Sequence, residues 1–135
     1  MGTDFSGRWI AKLDESRFVS RVPRRLTAAI TQSADWLHVE MHVSFEDIDD
    51  SRMVYDAPIV TSDEVRSGSV ALARWMGDDL LVETRVETRE REIVLRDRWR
   101  LSEDRSRLTM AHRGDVLAGQ TVVFEREVSK SAAVP

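Results

Sequence analysis

The chain has no cysteine, which excludes disulfides and thiolate metal sites and leaves its redox compartment open. Lysine is nearly missing as well: only Lys12 and Lys130 among 20 basic residues, the others being arginine. That bias matches a GC-rich, bacterial coding sequence, which is an argument from codons and not from physics. There is no apolar run long enough to span a bilayer and no signal peptide, so no membrane partner is expected and the expected location is cytoplasmic. No basic run is interleaved with aromatics and the net charge is −4, so nucleic acid is not an expected partner. The chain also lacks a glycine-rich phosphate loop, a nucleophile elbow and any cluster with metal-ligand spacing. Classical hydrolase and nucleotide chemistry therefore have no support, and neither metal nor cofactor is expected.

What is present is alternation. At 135 residues with 41% hydrophobic content, the chain is long enough for one domain with a real core, expected over residues 1–128 with a disordered tail at 129–135. The stretch around which the rest is organised is 80–101, LLVETRVETREREIVLRDRWRL. Leu80, Val82, Thr84, Val86 and Thr88 share one parity; Ile93, Leu95, Asp97, Trp99 and Leu101 share another. Period two over this length predicts two strands, each with a dry and a wet face, joined at Arg89-Glu90-Arg91. Two registers fit. One sets Thr84 opposite Asp97 and Glu83 opposite Arg98; the other sets Glu83 opposite Arg96. Either gives Glu83 a cross-strand arginine.

Further strands are expected at 8–13, 26–33, 36–45, 52–56, 59–61, 69–76, 107–113 and 116–128. A short helical turn is expected around 15–18, and Gly119 is a candidate bulge. Pro58 argues against a central strand at its position. With a turn about every ten residues and no long helix, the expected fold is all-β: a closed, antiparallel up-and-down barrel of about 8–10 strands.

Few residues offer chemistry. His38, Glu40 and His42 share a face of the third strand. At about 3.3 Å rise per residue the two histidine Cα atoms are roughly 13 Å apart. A zinc ion needs ligand atoms about 2 Å away, so this face reads as solvated exterior. Asp97, Arg74, Tyr55 and His112 instead share parity with apolar neighbours. Burying such groups costs several kcal/mol unless they are paired or wet. They fit an internal Asp97–Arg74 ion pair, strand ends that place Arg74 and His112 at the rim, or a cavity in which a few polar groups orient a ligand. The expected cavity residues are Met53, Tyr55, Leu72, Thr84, Leu95, Trp99 and Met110, with Asp97, His112 and Arg74 as the candidate catalytic groups. The phase of 70–76 is open, because Trp75 with Ala71 and Ala73 forms an equally good inner set and would place Arg74 outside.

Phe5-Ser6-Gly7-Arg8-Trp9 resembles the Gly-x-Trp opening of lipocalin-like (calycin) barrels. Ile30-Thr31-Gln32, Ala73-Arg74-Trp75-Met76-Gly77-Asp78 and Trp99-Arg100-Leu101-Ser102-Glu103-Asp104 are similar to pieces of small bacterial lipocalin-like domains. The resemblance implies that Trp9 crosses the closed end of the barrel with a basic residue of the last strand, Arg126, over it, and that the barrel holds a ligand. It departs at Met76, where an Asp is common, and at Arg105, where glycine is easier. The expected function is a carrier or sensor of a small, mostly hydrophobic molecule. Two alternatives stand beside it: a cofactor-free cyclase or isomerase folding a hydrophobic, polyketide-like substrate, and a structural or protein-interaction module using the charged outer face of the hairpin. A homodimer is also among the expected partners.

Overall fold

The structure, a computed structural model, describes residues 3–19, 21–47, 50–60, 71–87, 89–113 and 119–127. The expected loop at 62–68 and the ends of the strands near it (Thr61, Ser69, Val70), the turn at Gly114-Asp115, residues 116–118, Thr88 and the tail from 128 lie outside those residues. Nine strands close into one barrel: β1 (Gly7–Ala11), β2 (Arg25–Gln32), β3 (Trp36–Ser44), β4 (Ser51–Val60), β5 (Ala71–Met76), β6 (Asp79–Glu87), β7 (Glu92–Leu101), β8 (Arg107–Arg113) and β9 (Thr121–Arg126). Each strand neighbours the next in sequence, and β9 returns to β1. No α-helix occurs among the described residues, and none is long and apolar enough to cross a membrane. Where a helical turn was expected, the chain makes a tight turn in which Glu15 N donates to Lys12 O, followed by an isolated bridge from Arg17 to Thr121.

The expected all-antiparallel meander needs one correction. β4 and β5 run parallel, with Ile59 beside Ala73 and Val60 beside Arg74. Closure makes this unavoidable. Travelling once around a ring must return the strand direction to its start, so the number of antiparallel steps must be even. Nine strands thus allow eight, and the eight other neighbour pairs are antiparallel.

Pro58 also falls inside a strand that was expected to break there. Ile59 N–H donates to Asp35 O across the β3 side, so the neighbouring Pro58 nitrogen faces the other way. On that side β5 pairing begins only at Ile59, and no ladder bond is lost. Two expected strands thereby merge into β4.

The hairpin register is the second of the two expected, with Thr84 opposite Leu95 and Glu83 opposite Arg96. The Glu83 carboxylate lies 3.8 Å from Arg96 Nη2 on the outer face. Asp79 is the first residue of β6. It is nearly buried on the outer side and accepts bonds from Arg98 Nε at 2.6 Å and Arg100 Nη2 at 3.0 Å. Burial alone would raise its carboxyl. The bonds from Arg100 and Arg98, and then their charges, outweigh this and hold it below the usual carboxylate range.

One end of the barrel is filled. Phe5, Trp9 and Trp99 are fully buried there, with Leu37, Leu80 and Leu108. The Phe5 ring meets Trp99 edge-on at 5.7 Å and stacks with Trp75 at 6.2 Å. Residues 3–6 thus do more than lead in: they carry a plug. Gln32 fixes this plug, accepting from Phe5 N at 2.8 Å and donating to Thr3 O at 2.9 Å. Over Trp9 lies Arg126, its guanidinium carbon 4.3 Å from the ring centroid, as the Gly-x-Trp resemblance implies. Arg126 also donates to Ser6 O at 2.9 Å and Arg105 O at 3.1 Å. Gly7 has φ +141°, and a Cβ there would sit 2.5 Å from Arg126 Nη1. The glycine is therefore the space in which the arginine lies.

Gly7→Ala is expected to destabilise the fold by about 1–3 kcal/mol, through backbone strain and this clash together. In a double-mutant cycle with Arg126→Ala, the Gly7→Ala penalty should shrink, because only the backbone part remains. Denaturant unfolding measures both, and equal penalties in the two backgrounds would refute the steric account.

Candidate functional site

The parallel step sets the phase of β5. Ala73 lies beside inward-facing Ile59 and opposite Val82, while Ala71 pairs with Thr84 and Trp75 with Leu80. The inner set is therefore Ala71, Ala73 and Trp75. Leu72 and Arg74, expected in the cavity, are on the outer parity, opposite to that of Asp97, so the register does not support an internal Asp97–Arg74 pair. Leu72 and Arg74 line a groove of about 380 Å³ whose other walls include Leu81, Glu83, Arg96, Asp97, Arg98 and Arg113. His38, Glu40 and His42 are also outside. His38 Nδ1 meets Asp56 Oδ1 at 2.6 Å, and Glu40 pairs with Arg52.

The inner face is different at the two ends. Opposite the plug, the strands leave an apolar chamber of about 340 Å³. Its walls are Leu26 from β2, Met41 and Val43 from β3, Met110 from β8, and Val122 and Phe124 from β9. The link between β1 and β2 adds Phe18 and Pro23, and Met53 stands half-exposed on the rim. Of the expected ligand residues, Met53, Met110 and His112 line this chamber. Tyr55, Thr84, Leu95, Asp97 and Trp99 are on the inner parity but outside its lining. Trp99 belongs to the plug, and its Nε1 is buried without a partner among the described residues. Burial pushes the Tyr55 phenol up, so this side chain stays neutral at any ordinary pH.

Sequence reasoning missed the β9 wall and the β1–β2 link. Phe18 and Pro23 were visible as apolar residues in an otherwise polar connection. Val122 and Phe124 alternate correctly within the last strand. Assigning them to the chamber needed the register that sets Val122 opposite Met110.

One polar constellation sits inside. Asp97 and His112 are direct neighbours across β7 and β8, both pointing inward. His112 Nδ1 lies in ion-pair contact with Asp97 Oδ1, and both atoms are buried without a hydrogen-bond partner among the described residues. Their side chains are 19% and 12% exposed for His112 and Asp97 respectively. The histidine backbone is held from the other side too. His112 N donates to Gln120 O at 2.7 Å and its carbonyl accepts from Gly119 N at 3.3 Å, with Gly119 at φ +87°. Two consecutive residues just before β9 engaging a single residue of β8 is the pattern of a bulge opened by a left-handed glycine. The expected bulge at Gly119 thus acts on His112.

Burial pushes the His112 imidazole below its ordinary value. A neutral ring facing a carboxylate carries its proton on Nδ1, because the carboxylate only accepts. Nε2 is then left with a lone pair. The arrangement can hold a hydrogen-bond donor or accept a proton at Nε2, with Asp97 fixing the tautomer. No protein-family model matches the chain, and no curated protein matches it.

The lowered imidazole predicts a pH dependence. The unfolded chain takes up a proton at His112 as pH falls through about 6.5, while the folded chain resists it. Stability at this residue is therefore complete above about pH 6.5 and is lost as pH falls from there to the lowered folded value. The melting temperature should fall as pH drops below about 6.5, and His112→Gln should flatten that part of the curve. Carboxylates held low, such as Asp79 and Asp104, act only at more acid pH. An unchanged profile in His112→Gln would exclude this origin.

Proposed function

We propose that this barrel binds a small, mostly hydrophobic molecule in its open-end chamber, as a carrier or sensor of lipocalin-like (calycin) kind. The observation that carries the reading is the contrast between the two ends of one interior. Two tryptophans and Phe5 fill one end, while the other keeps about 340 Å³ behind apolar walls. That volume lies in the range of small-ligand sites, which are concave, mainly apolar and supplied with few polar groups. The lipocalin-like part rests on the Gly7, Trp9 and Arg126 arrangement at the filled end.

The Asp97–His112 pair favours a second reading, a cofactor-free cyclase or isomerase. A closed apolar chamber can hold a flexible chain in a reactive fold, and a neutral histidine oriented by a carboxylate can move one proton. Arg74 takes no part in this version, since it stands on the outer face. For a convertible ligand, His112→Ala should slow conversion by at least about tenfold. The protein-interaction reading would instead use the charged outer face of the hairpin of β6 and β7.

N-phenyl-1-naphthylamine, an uncharged probe whose emission rises in apolar surroundings, tests the binding reading. Saturable one-to-one binding is expected, lost by at least about tenfold in Val43→Trp, which fills the mouth; a side-chain-sized loss of apolar contact is worth that much. Absence of saturable binding by the parental protein would remove the reading and favour the interaction module.

A further inference from the structure

Resting on the chamber-binding reading, we infer that the ligand is an apolar molecule carrying a hydroxyl donor of the phenol or enol class, which it gives to His112 Nε2. The chamber's polar groups lead to this by elimination. Arg21 at the mouth is paired with Asp47, and Arg52 with Glu40. Ser51 is exposed on the rim. Deeper in the wall remain His112 and the buried Gln120.

His112 is the better built of the two. Its Nδ1 lies against the Asp97 carboxyl, its backbone is clamped by the Gly119 bulge, and the residue lines the chamber. The committed nitrogen decides what the free one can do. With the proton on Nδ1, Nε2 is an acceptor, so it selects a donor and not a carbonyl or an ether. Burial keeps the ring neutral, which disfavours an anionic ligand such as a carboxylate. An acceptor fixed in an apolar wall costs free energy whenever it is covered without a partner. A ligand that covers it must therefore bring a donor or lose affinity.

The matched probes are 2-naphthol and 2-methoxynaphthalene, which share a ring system and differ in the donor. A purely apolar chamber would prefer the ether, which has an extra methyl and no donor to strip of water. The expected result is the reverse: 2-naphthol binds about three- to tenfold more tightly to the parental protein, the range of one net hydrogen bond. His112→Leu should restore the preference for the ether while still binding it.

Nitrogen-15 spectra of the parental protein give a second readout independent of any variant. The Nε2 resonance of His112 should move on adding 2-naphthol and stay in place with the ether. An ether preference in the parental protein, or an unmoved Nε2, overturns the inference. A naphthol preference that persists in His112→Leu also overturns it, by making Gln120 the acceptor of the ligand hydroxyl. If neither naphthalene binds, the chamber-binding reading fails together with the inference; if both bind equally, only the inference fails.

Discussion

Closure of an odd ring is the constraint from which the interior follows. With nine strands, one neighbouring pair must run parallel, and the chain places that pair at β4 and β5. Side chains alternate strictly along a strand, so one residue of register at this step would turn β5 inside out. The observed register of Ile59 beside Ala73 directs Trp75 into the plug and Arg74 out of the barrel. It also supplies small residues, Ala71 and Ala73, beside the large indoles of the filled end. Every later strand inherits its phase from this step through β6, including the inward positions of Asp97 and His112.

The two ends of the barrel are then stabilised by different means. At the filled end apolar volume does the work, and Arg126 and Gln32 are engaged at the surface of the plug, while Trp99 Nε1 is buried without a partner among the described residues. Arg126 covers Trp9 while bonding two carbonyls, and Gln32 ties down the segment carrying Phe5. The outer wall is reinforced by Asp79 under two arginines, where burial makes the bonds count. At the open end the interior is left unfilled, and a volume without partner atoms forfeits dispersion. A protein selected for stability alone would close that space with larger side chains.

Most of the fold was legible because it rests on period two. The hairpin of β6 and β7, the apolar set of β3 and the inward Asp97, Trp99, Met110 and His112 all follow from alternation. The Gly7, Trp9 and Arg126 contact was legible from a short motif whose residues do one job. Alternation gives parity only, and parity has no absolute sign where both faces are apolar. Leu72 and Arg74 were assigned inward because Ala71, Ala73 and Trp75 form an equally dry face. Pro58 misled for a related reason: sequence shows that a donor is missing but not which side of the strand it would have faced. The chamber was legible as an expectation, while its walls were not. Phe18, Pro23 and Val122 come together only through closure, which brings β9 back to β1 and lays the β1–β2 link against it.

The Asp97–His112 pair is the interior feature that stability explains least. Two apolar residues of similar volume on adjacent strands would cost nothing to desolvate, and replacing a buried ionisable pair this way is commonly neutral or stabilising. The pair is nevertheless supported from both flanks, by the β7 register on one side and the Gly119 bulge on the other. A bulge gives up a regular ladder position to aim a side chain, and here the side chain it aims is the histidine that lines the chamber. Strain or loss of regularity spent on orienting one polar group is typical of a site that must meet a partner in a fixed direction. In the reading proposed above, that partner is the small molecule bound in the space the barrel leaves open.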